Sequence, residues 1–161
     1  MRYLPIYFAL CFLTIFSCKQ AASSGDYSHV PDAFQVTIST PAGQSTNQSF
    51  LPLMGNLGYL DESQNIGVLV LSERVESGNV INARPIGTLL LQEENQLKHI
   101  IIASPLDTAI QLTQTTSFQE FIAKNAGEKQ IIQDWFLYQK GLGNTELVGW
   151  KDEQYALGII K

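Results

Sequence analysis

Few side chains in this chain of 161 residues are of types that do chemistry. There are two cysteines, Cys11 and Cys18, and two histidines, His29 and His99. A nucleophile of the Ser or Cys type needs a base beside it to raise its reactivity. No G-x-S-x-G elbow is present, His29 lies in a small, polar stretch, and His99 follows Lys98 at the start of a predicted strand. Each histidine therefore reads as a surface or strand-end residue. Carboxylates remain, among them the adjacent pairs Asp61-Glu62 and Glu93-Glu94. Acids at turn tips are ordinarily solvated, so Asp61–Glu62 reads as a loop and Glu93–Gln96 as a hairpin turn.

The elements that must carry these residues follow from periodicity. Phe34–Ser39 alternates apolar and polar side chains, the mark of a strand with one buried face, and Pro41 stops it. Phe50–Leu60 is punctuated by Pro52, Gly55 and Gly58 and reads as irregular. Ile66–Leu71 is aliphatic on both faces, which predicts a central, doubly covered strand. Glu76–Asn79 is a turn, and Val80–Arg84 and Ile86–Gln92 are strands separated by a bend or bulge at Pro85. Ile100–Ala103 returns as the second arm of a hairpin. Ser117 followed by Glu120 forms a capping box that predicts a short helix to about Lys124. Gly127 is expected to separate it from a helix over Glu128–Lys140, with Ile131, Ile132, Trp135 and Phe136 as core and Gly141 as its C-terminal stop. Thr145–Trp150 reads as a strand, and Asp152 as the cap of a last helix from Glu153 to Ile160. Strands first and helices later make an α+β domain with a mainly antiparallel sheet.

The N-terminus differs from the rest. Residues 1–17 hold one charge, Arg2, and an apolar run over Leu4–Phe16 that is short of the roughly 20 residues of a membrane-spanning helix. That pattern fits the h-region of a secretory signal. Ile15-Phe16-Ser17-Cys18 resembles a bacterial lipobox, which implies that Cys18 becomes the lipidated first residue of the mature chain. Residues 18–30 are expected to be a flexible tether, and residues 31–161 the folded domain. With Arg2 removed, nine basic and fifteen acidic residues remain, a net charge of −6. Those charges are scattered, which argues against nucleic acid as a partner. The expected setting is the cell envelope, on the periplasmic or outer-membrane side, held to the membrane through Cys18.

From Phe50 onward the chain resembles the soluble, magnesium-dependent inorganic pyrophosphatases. LPLMGNLGYL is similar to the family's L-P-Y-P-G-N-Y-G-F-I, and RPIGTL to its R-P-I-G strand. IIIASP, WFLYQKG and LVGWKDEQYAL are similar to I-I-A-V-P, W-F-L-N-Y-K-G and the terminal G-W-x-D segment, in the family's order. The resemblance implies a small five-stranded β-barrel with two to three packed helices. It also implies a reaction in which several Mg2+ ions, held by converging carboxylates, neutralise diphosphate and activate water.

Set against that pattern, the chemical residues differ. Where the family has D-G-D-x-x-D, this chain has Glu62-Ser63-Gln64-Asn65-Ile66-Gly67. Where it has D-x-x-x-x-D-x-K, Glu93 stands at the first Asp, Lys98 at the second and Ile100 at the Lys. Ser39 replaces the acid of I-E-I-P, Leu57 replaces the Tyr of N-Y-G, and the K-Y-E segment is missing, since Pro41 and Pro52 stand 11 residues apart. Lys140 is kept, with Tyr138 one place early, and these two are the candidate substrate-binding residues. The expectation is a catalytically inactive member with a binding or structural role, whose ligand is a protein or a small anion and which needs no cofactor. The alternative is a weak Mg2+-dependent diphosphatase using Glu62 and Glu93 as catalytic groups, with Asp61, Glu62, Glu93 and Glu94 as the metal-ligand candidates.

Overall fold

In the computed structural model, the described residues are 30–44, 55–61 and 66–161. The expected signal, Cys18, the part of the expected tether before residue 30, Glu62 and Gln64 therefore lie outside them.

Among the described residues, three helices pack on a mixed six-stranded sheet in the order β1-β2-β3-β5-β4-β6. β1 is Phe34–Thr40, β2 Asn56–Asp61, β3 Ile66–Val70, β4 Val80–Glu93, β5 Gln96–Pro105 and β6 Thr145–Asp152. β1 also pairs with β4, Phe34 opposite Ala83 and Thr37 opposite Val80, so the first five strands close on themselves. β6 pairs beyond them on β4, Gly87 opposite Asp152 and Glu93 opposite Thr145. The expected α+β barrel of five strands is present, and β6 is an added sixth strand.

β3 is buried along its whole length, between antiparallel β2 and parallel β5. β4 is one strand rather than two, since its pairing with β5 shifts register between Pro85 and Gly87 instead of breaking. A missing N–H at Pro85 is absorbed there by a bulge. Gly87 is needed at that bend: a Cβ would come within 2.8 Å of the Lys151 carbonyl oxygen and 2.9 Å of Phe118 Cδ2. The β4–β5 turn is Glu94-Asn95, both at positive φ, the two-residue turn whose twist matches a hairpin.

β2 corrects the reading of Phe50–Leu60 as irregular. Its glycine spacing hides a strand because β1 crosses so close that only glycine fits. A Cβ at Gly58 would collide with the Thr37 carbonyl oxygen. Asn56 begins this strand and is fully buried. Its amide donates to Ser72 Oγ at 2.7 Å and to the Glu73 carbonyl at 2.8 Å. Its carbonyl accepts from Ala42 N at 2.8 Å and Val75 N at 3.0 Å. One side chain thus ties the segments after β1 and after β3.

α1 (Phe118–Lys124) starts on Ser117, whose hydroxyl accepts from Glu120 N. α2 (Ala126–Tyr138) begins earlier than expected, because Asn125 rather than Gly127 makes the break. A glycine in a first turn costs no intrahelical donor, so Gly127 is tolerated there. Gly141 follows the helix at φ +92°, as its role as a stop requires. Ile132 and Phe136 are buried, but Ile131 is 49% exposed, because consecutive helix positions point about 100° apart. α3 (Glu153–Ile160) starts at Asp152, which accepts from Tyr155 N. Trp150 on β6 fastens the helices: it stacks on Phe118, meets Phe121, and donates to Gln133 Oε1 at 2.9 Å.

Two apolar clusters result. One is led by Val36, Ile38, Val68, Val70 and Ile101 inside the barrel, where Ala156 of α3 joins it. The other is led by Leu69, Leu89, Leu91, Ile100 and Ile102 beneath Phe121, Ile132 and Phe136.

Replacing Asn56 by Ala strands two backbone donors that water reaches poorly, and should cost about 2–4 kcal/mol. Urea unfolding should show this as a lower midpoint with an unchanged slope.

Candidate functional site

Strand pleating carries the second apolar cluster to a polar end. Leu89, Leu91 and Glu93 share one face of β4, and Lys98, Ile100 and Ile102 share that face of β5. α2 lies over the same face, and Lys140 follows its end. The three elements bring Glu93, Lys98 and Lys140 together. Lys98 Nζ donates to Glu93 Oε2 at 3.1 Å, and Lys140 Nζ lies 2.6 Å from Oε1. The carboxylate side chain is 15% exposed, against 30% for Lys98 and 48% for Lys140.

Burial pushes the Glu93 carboxyl up. The hydrogen bonds from Lys140 and Lys98, with the attraction of both ammonium charges, outweigh that and hold it below the ordinary carboxylate range. The expectation of Glu93 as a solvated turn residue is therefore corrected. The turn tip is Glu94-Asn95, and Glu93 is the last residue of β4, held against α2's end by its two partners. Glu94 is exposed, as the turn reading has it.

Deeper on the same face, Gly67 lies opposite Ile100, and a Cβ there would stand 3.1 Å from Ile100 Cδ1. Ile100 is buried in the apolar cluster. These are the positions where the resemblance places an Asp and a Lys, so an apolar contact stands where charged groups would face each other. Leu57 of β2 packs against this cluster too. Asp61 closes β2 opposite Ile66, its side chain outside the described set. Tyr138 is 55% exposed on α2, and no hydrogen bond joins it to Lys140 among the described residues. His99, expected at a strand start, sits within β5, its Nε2 3.2 Å from Tyr155 Oη, and burial lowers its pKa.

The described residues do not fit Mg2+. Its octahedral shell wants several oxygen donors in one place. Here the Glu93 oxygens are each occupied by an ammonium, and no three His, Cys, Asp or Glu residues gather closely enough to hold a metal ion among the described residues. The sequence pointed to Glu93, Lys98 and Lys140 one at a time. It held no signal that the three meet, since Lys140 lies more than forty residues beyond Lys98.

This barrel with a polar end beneath α2 defines a class of protein. The family model for inorganic pyrophosphatase matches residues 23–161, and the chain belongs to that family. No curated protein matches it. The inorganic pyrophosphatase of Thermus thermophilus has a similar structure, with a TM-score of 0.68 at 21% identity over 81% of this chain and 88% of that one. An inorganic pyrophosphatase of Neisseria gonorrhoeae is similar at TM-score 0.65 and 18% identity, over 88% and 93% of the two chains. A vacuolar soluble pyrophosphatase of Trypanosoma cruzi is similar at 0.66 and 12%, over 83% of this chain and 47% of its own. At these identities the likeness speaks for the fold.

Because Glu93 has its folded pKa below the unfolded value, its contribution to stability is complete above about pH 4.5 and is lost as pH falls through the lower folded value. Glu93→Gln should lower stability at neutral pH by about 1 kcal/mol, modest because both ammoniums keep solvent contact. Its urea midpoint should then fall less steeply below pH 4.5 than the wild type's, and added salt should narrow the neutral-pH difference.

Proposed function

We propose that this chain is a catalytically inactive inorganic pyrophosphatase-like lipoprotein, anchored to the cell envelope through Cys18 and acting by binding or as a structural module. The observation that carries the reading is the pairing of Glu93 with two lysines. A carboxylate in the family's ligand position is neutralised from within the chain, and the ammonium of Lys98 stands where a divalent cation would need another acid. A metal would have to displace both ammoniums and then be held by few oxygens, against charge repulsion that grows as solvent is excluded. Lys140 alone among the family's phosphate-holding groups is kept, and Glu93 engages it.

Support for the anchor is the lipobox-like Ile15-Phe16-Ser17-Cys18 after a short apolar run. Among the described residues no helix is long and apolar enough to cross a membrane.

The purified chain should release no phosphate from diphosphate above the uncatalysed blank with magnesium, manganese or zinc. Turnover that vanishes in a Glu62→Ala, Glu93→Ala double variant would establish the weak metal-dependent diphosphatase instead. In bacterial cells, labelled palmitate should enter the wild-type chain and be absent from Cys18→Ser. Equal labelling of the two would remove the anchor from the proposal.

A further inference from the structure

A cleft lies at the other end of β4. The strand runs eight residues from Pro85 to Glu93, roughly 25 Å at the rise of an extended chain, so the two places do not overlap. At the bend a cleft of about 350 Å³ opens between the segment before β1, the β4 bulge and the first turns of α3. That volume suits a small molecule.

The charges lining it are left apart. Arg84 is half-buried, and its guanidinium makes no hydrogen bond or ion pair among the described residues. Asp32 and Glu153 line the same cleft, and neither reaches ion-pair distance of Arg84. Glu153 spends one oxygen, Oε2, on Phe118 N at 2.9 Å. Pro85 and Leu157 supply apolar wall. A half-buried guanidinium favours a planar two-oxygen partner. The cleft's own charges sum to −1, which disfavours a plain anion. A ligand carrying both a carboxylate and an ammonium offers each set a charge of opposite sign.

We infer that the Arg84 cleft binds a zwitterionic α-amino acid, its carboxylate on Arg84 and its ammonium between Asp32 and Glu153. This goes beyond the proposed function and does not depend on it, since neither Glu93 nor Lys140 takes part.

The test is calorimetric titration of the purified chain with glycine, L-alanine and L-leucine, and with acetate and methylammonium as half-ligands. At least one amino acid should bind saturably, about tenfold or more tighter than either half-ligand, the worth of one charge-assisted contact. Arg84→Gln and Asp32→Asn should each weaken it about tenfold, with thermal unfolding unchanged. Asn suits position 32, where the backbone stands at φ +66°. No heat from any of the three amino acids overturns the inference, as does acetate binding as tightly as they do. Unchanged affinity in Arg84→Gln also overturns it.

Discussion

The constraint on which the other elements depend is that one strand, β4, serves three partners. β5 takes one edge along most of its length, while β1 and β6 share the other edge in succession. A straight, flat strand could not do this, because β1 and β6 would lie in one plane and the sheet would stay open. The bulge at Pro85–Gly87 turns the strand between its two partners, so β1 closes the barrel and β6 leaves it to meet the helices. Gly87 permits the close approach of Lys151 and Phe118 at that turn, and Trp150 on β6 then clamps α1 and α2.

That arrangement decides what sits beneath α2. Along one face of β4 the sequence runs from Leu89 and Leu91 to Glu93, so an apolar floor ends in a carboxylate with little solvent. A charge in such a place needs a partner, and two are delivered, one by the hairpin and one by the end of α2. The pair of contacts serves the fold by fastening α2's end to the sheet. The same contacts occupy the oxygens that a cation would need, so packing and chemistry at this position are one question. Gly67 against Ile100 extends the logic inward, with an apolar contact of close fit in place of opposed charges.

Much of the architecture was legible in the residues. The alternation of Phe34–Ser39, the aliphatic Ile66–Leu71, the Ser117 and Asp152 caps and the bulge at Pro85 each record a local rule, and each feature formed where its rule put it, although the bulge bends one strand rather than separating two. The misreadings share a cause. β2 was hidden because Gly58 answers to the nearness of Thr37, a residue of another strand. Ile131 was placed in the core by spacing that Ile132 satisfies instead. Acids beside a turn are ordinarily solvated, but the hairpin reverses one residue after Glu93, at Glu94-Asn95, which leaves Glu93 on the strand.

By itself the sequence determined most strands and the helices, since hydrophobic period and caps act over a few residues and survive without knowledge of neighbours, while its motifs carried the resemblance to the family and, through it, the expectation of the barrel. It also determined which side-chain types stand at the polar end. Only the tertiary structure decided that Glu93, Lys98 and Lys140 form one unit and that Arg84 is left unpaired among the described residues in a cleft. Charges act through space, and whether two of them meet is set by strand bend, turn length and helix placement, which no local pattern encodes.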